Sequence, residues 1–93
     1  MDIATHQRVQ ESLRRLVEQL RAWEDFERVT AEANKLAGYR AEGRERHRLL
    51  TESSDAFCRA QVLVDAGMMV HQEADRTAEE FRTSRLLGRG SAK

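Results

Sequence analysis

From Leu50 to Arg85 one row of residues, apolar or small except for His71 and Arg85, recurs at strictly alternating steps of three and four: Leu50, Ser53, Phe57, Ala60, Val64, Gly67, His71, Ala74, Ala78, Phe81 and Arg85. That spacing keeps one side of an α-helix facing one neighbour and is the pattern of a coiled-coil seam. A β-strand would need alternation with period two, and no stretch of the chain shows it. The neighbour is supplied upstream by Val9, Leu13, Leu16, Leu20, Trp23, Phe26, Val29, Ala33 and Leu36. Around Trp23 and Phe26 this second pattern takes three consecutive steps of three. Such steps swing a stripe around its helix, so a change of packing face or a kink is expected there.

No proline interrupts either pattern, and good helix formers dominate the 93 residues. The fold class is therefore all-α: an antiparallel two-helix hairpin, coiled-coil-like. The first helix is expected over about residues 5–37 and the turn over 38–43. The second is expected over about 44–86, continuous or restarted at 51–54, where Thr51, Ser53 or Ser54 could cap a new start. Residues 1–87 form one domain and 88–93 a flexible tail. Gly38 is expected as the left-handed residue that ends the first helix. A link this short makes the helices antiparallel.

Ser53, Ala60, Gly67 and Ala74 recur every seven residues within the seam, and all are small. Such a row lets another helix approach closely; the plainer reading is that small residues abound in an alanine-rich chain. At Gly67 close approach would offset about 1 kcal/mol of helix propensity lost against alanine. A further stripe, Cys58, Val62, Ala66 and Met69, lies away from the seam. Residues 56–70 are polar only at Arg59, Gln61 and Asp65. A helix apolar on more than one side needs more than one neighbour. Dimerisation into a four-helix bundle is expected, as a homodimer or a heterodimer with another helical protein, with Cys58, Val62, Ala66 and Met69 at the partner interface.

The charges, 16 basic and 16 acidic, cancel, which argues against a protein that coats nucleic acid. The basic clusters Arg40–Arg48 and Arg82–Lys93 fall at opposite ends of an antiparallel hairpin, so they cannot share one surface. The single cysteine excludes an internal disulfide. No signal-peptide pattern and no long apolar run is present, and a cytoplasmic location is expected. His6, His47 and His71 do not form a metal signature, and His71 with Asp75 makes at most half a site. Neither a phosphate-binding glycine loop nor a nucleophile elbow occurs. No catalytic residue, cofactor, metal or small-molecule substrate is expected. Trp23 is expected in the core, with an interface anchor as the alternative.

The segment His71-Gln72-Glu73-Ala74-Asp75, followed by Ala78 and Phe81, resembles the C-terminal helix of the WXG100 (ESAT-6-like) proteins of type VII secretion. Asp75 matches the acidic position of their secretion motif. His71 stands where that motif has tyrosine, and the turn, Ala37-Gly38-Tyr39-Arg40, lacks the Trp-x-Gly hallmark. The resemblance implies a helical hairpin that dimerises into a four-helix bundle and is exported without a signal peptide. The expected function is a non-catalytic interaction module: a small partner, chaperone-like component or substrate of a bacterial specialised secretion system. The alternative is a cytoplasmic helical adaptor or regulatory protein unrelated to secretion.

Overall fold

A computed structural model describes residues 2–91 of the chain. Two helices, α1 (Ile3–Arg40) and α2 (Gly43–Ser91), pack against each other as a hairpin. The molecule measures 77 × 16 × 12 Å. Its radius of gyration is 21.2 Å, against roughly 12 Å for a compact domain of this length.

Asp2 starts α1. Its carboxylate accepts a hydrogen bond from the Thr5 amide at 2.7 Å, satisfying one of the free donors of the first turn. At the other end Ala41 N–H donates to the Ala37 and Gly38 carbonyls, and the chain turns in the two residues Ala41 and Glu42. The left-handed residue is Gly43, with φ 61°, not Gly38. Gly38 is helical and buried, because Leu50 lies on it: a Cβ there would stand 2.7 Å from Leu50 Cδ2. The turn expected over 38–43 is correspondingly shorter.

α2 is continuous through 51–54. The hydroxyl that could have capped a new start is used elsewhere: Ser53 Oγ donates across the seam to the Ala31 carbonyl at 2.7 Å. At the open end Gln10 Nε2 donates to the Ala74 carbonyl at 3.1 Å. Both bonds depend on small residues, Ala31 and Ala74, that leave a helix carbonyl reachable from the neighbour. His6 stacks on Phe81 with ring centroids 4.0 Å apart, and the Arg85 guanidinium lies 5.6 Å from the centroid of the Phe81 ring. α2 then runs past the start of α1 as helix to Ser91, where a flexible tail was expected; residues 92 and 93 lie outside the described residues.

The core is thin. Among the described residues Val17, Ala31, Ala56, Ala60 and Leu63 are its buried apolar ones, and none of the larger side chains is fully enclosed. The surface is 7162 Å², against roughly 5,500 Å² for a compact monomer of this mass. Ion pairs one turn apart line the outside, including Glu24–Arg28 at 2.6 Å, Glu11–Arg15 at 3.3 Å, and Arg76 with both Glu73 and Glu80.

Hydrogen bonds from Arg14, Arg48 and Arg76 hold the carboxyls of Glu11, Glu45 and Glu73 below their ordinary value of 4.5. Their contribution to stability is therefore complete above that value and is lost as pH falls through the lowered ones. All three are at the surface, so the melting temperature should fall only modestly on acidification below about pH 4.5, and less in ~1 M salt. The two helical glycines should respond oppositely to alanine. A Cβ at Gly67 would meet nothing within 4 Å, so close approach of the helices does not require a glycine there. Gly67→Ala should stabilise by about 1 kcal/mol from propensity alone, raising the melting temperature by several degrees. Gly38→Ala should lower it, because Leu50 must move. Thermal circular dichroism measures both.

Candidate partner interface

On α1 the residues that face α2 are His6, Gln10, Leu13, Val17, Leu20, Glu24, Glu27, Ala31, Asn34 and Gly38, all buried or half-buried. Their steps alternate four and three throughout. Beyond Leu20 this seam turns polar, and the apolar residues leave it. Trp23 is 57% exposed and Phe26 66%, and Leu16, Val29 and Leu36 are also exposed. The expected change of packing face is present, and Trp23 is outside the core: the helix keeps its register with α2 while its apolar stripe walks off to the side.

That stripe forms a second row, Val9, Ser12, Leu16, Gln19, Trp23, Phe26, Thr30, Ala33 and Ala37, again at steps of three and four. No member carries a charge, in a chain where 34% of residues do. α1 thus presents two seams, and α2 occupies one.

Glu27 ties the second row to α2. It is buried in the intramolecular seam. Trp23 Nε1 donates to its Oε1 at 3.3 Å and Arg59 Nε of α2 donates to its Oε2 at 3.0 Å. Trp23 and Arg59 therefore share one flank of the hairpin. Val62, Ala66 and Met69 follow Arg59 at helical spacing and continue that flank along α2. Val62 is 65% and Met69 69% exposed; Ala66 is half-buried. The Ser53–Ala31 and Gln10–Ala74 bonds set the level of the two helices. They put Trp23 beside Val62, and Leu16 beside Met69. Both helices thus contribute apolar side chains to one mid-length face, on the order of several hundred Å². A patch of that size is about the largest an ordinary monomer exposes, and such patches are often functional.

Cys58 is exposed but lies elsewhere. It lines a groove of about 420 Å³ with Lys35, Tyr39, Leu50 and Phe57. Of the small row, Ser53 and Ala60 are buried in the seam, and Gly67 and Ala74 are half-buried. Their companions in the seam are Ala56 and Leu63, with Val70 and Thr77 half-buried. Leu50, Phe57, Val64 and Ala78 sit half-buried on the flank, and His71 is exposed. His71 lines a groove of about 720 Å³ with Gln10, Arg14, Val17 and Arg21. No hydrogen bond or ion pair involves the side chains of His71 or Asp75 among the described residues. Nor does any group of three or more potential metal ligands converge among the described residues, and no helix there is long and apolar enough to cross a membrane.

The periodicity of apolar residues alone could not find Glu27, because it is a charged residue in a seam position. Its signal was the seven-residue interval between Leu20 and Glu27, continued by the step to Ala31. Removing one partner of a buried ion pair is costly when the charge left behind stays buried, but Arg59 is about half exposed and its guanidinium can return to water. Glu27→Leu should accordingly leave the melting temperature unchanged or higher. It should also release the indole of Trp23, the chain's single tryptophan, so fluorescence anisotropy of Trp23 should fall. A loss of stability of more than about 2 kcal/mol would show instead that the Glu27 carboxylate holds the hairpin together.

Comparison with family models, curated proteins and solved structures gives no match to this chain.

Proposed function

We propose that this protein is a non-catalytic interaction module whose Trp23–Met69 face is covered by the helices of another chain, completing a four-helix assembly. The observation that carries this reading is the uncharged second row on α1, aligned with Val62, Ala66 and Met69 of α2 on the same flank. Exposed aromatic side chains next to aliphatic ones are the usual anchors of interfaces. Glu27 strengthens the case, since it holds the Trp23 ring in place before a partner arrives and so reduces the ordering cost of binding. An elongated hairpin with this much excess surface gains most by associating along its length.

The setting we favour is a bacterial specialised secretion system, with the protein as a small partner, chaperone-like component or substrate. Support comes from the resemblance of residues 71–81 and from the accessibility of His71 and Asp75, both exposed on α2. A cytoplasmic adaptor is the second reading. It is favoured by the two-residue link Ala41–Glu42, which carries no Trp-x-Gly turn.

Affinity capture from the cells that make the protein tests the main reading. The wild-type chain should retain a helical partner, or a second copy of itself. The double variant Trp23→Asp, Met69→Asp should lose it while keeping its helical circular dichroism. Equal retention by both chains would refute the assigned face. Asp75→Ala separates the settings: it should abolish appearance of the protein in the culture medium under the secretion reading and change nothing under the adaptor reading.

A further inference from the structure

We infer that the occupant of the exposed face is a second copy of this chain, docked antiparallel with α1 against α1 and Trp23 close to the two-fold axis. This deepens the interaction reading above and rests on it. Three observations carry it.

The first is symmetry in the second row of α1. Val9, Ser12, Leu16, Gln19, Trp23, Phe26, Thr30, Ala33 and Ala37 have Trp23 at their midpoint. A two-fold axis through that point lays the row on itself, which is what an isologous interface requires. Three of the five layers then combine unlike sizes, Val9 with Ala37, Leu16 with Thr30 and Gln19 with Phe26, while Ser12 meets Ala33 and the two Trp23 rings meet at the axis. Alternation of larger and smaller side chains is how facing helices fill space without voids.

The second is charge. None of the nine positions is ionised, so the α1–α1 contact buries no charge. On α2 the same axis brings Arg48 towards Arg76 of the partner copy. Each is paired on its own helix, Arg48 with Glu45 and Arg76 with Glu73, and all four are exposed, so the like charges of that rim, Glu52 towards Glu73 included, are screened by water and salt.

The third is area. The exposed parts of Leu16, Trp23, Phe26, Val62 and Met69 amount to roughly 600 Å² per copy. Gln19, Thr30 and Ala33 add to that. A standard interface takes about 800 Å² from each partner. Such a dimer would remove about half of each chain's surplus over a compact monomer, roughly 1,700 Å².

Sedimentation equilibrium of the full chain, combined with cysteine cross-linking, tests the inference. In a Cys58→Ser background, Ser12→Cys and Ala33→Cys are introduced separately; both positions are small and exposed. The chain should sediment as a dimer at micromolar concentration, and Trp23→Ala should weaken it by roughly 30-fold. Oxidation of the mixed single variants should link Ser12→Cys to Ala33→Cys, while neither variant links to itself. A monomer, or self-linking of Ser12→Cys, would overturn the inference. If the chain is monomeric yet wild type captures another protein that Trp23→Asp, Met69→Asp loses, the partner is a different chain and the interaction reading survives. If both fail, the face is not an interface.

Discussion

Two helices touch along a line, and a line has no interior. Each helix of this hairpin can hide only the strip of side chains that meets its neighbour, and the remaining circumference stays in water. The small residues tighten that contact without enlarging it. Ala31, Ser53, Ala56 and Ala60 bring the backbones close enough for Ser53 to bond the Ala31 carbonyl, while Gln10 reaches the Ala74 carbonyl at the open half. Close approach improves hydrogen bonding and dispersion along the seam, yet small side chains hide little apolar area each. The two effects together account for a long, continuous hairpin with a thin core and abundant exposed apolar surface.

The helices, their antiparallel order and the small row at Ser53 and Ala60 were legible because each is a matter of spacing. The companion row in α2 was not. Leu50, Phe57 and Val64 fit the alternating steps, but so do Ala56 and Leu63, one position earlier. Hydrophobicity favours the former, whereas the geometry of contact with α1 selects the latter. In α1 the sequence of apolar residues led outward at Trp23 for a physical reason: the true seam continues through Glu24, Glu27 and Asn34, which no hydrophobic pattern would include. The serine at 53 was ambiguous for a related reason. A hydroxyl can serve its own backbone as a cap or a neighbour's carbonyl, and only the proximity of Ala31 decides between them. Cys58 shared the linear spacing of Val62, Ala66 and Met69, but two successive steps of four rotate it around the helix, towards Lys35 and Tyr39.

The placement of Glu27 and Trp23 is costly for an isolated hairpin and has a physical reason under the proposed association. In the hairpin alone, exchanging their roles would help: an aromatic ring in the seam would bury area, and a glutamate outside would be solvated. The chain does the reverse over several turns. It puts Glu24, Glu27 and Asn34 between its own helices and turns Leu16, Trp23 and Phe26 outward. Polar groups in a seam cost stability but restrict register and orientation. Here the carboxylate of Glu27 does both, since its bond with Arg59 fixes the level of α2 and its bond with Trp23 fixes the ring. An arrangement that weakens the inner seam while ordering the outer one yields a net gain only where the outer face is itself covered, and the uncharged row centred on Trp23 is the surface on which that gain is available.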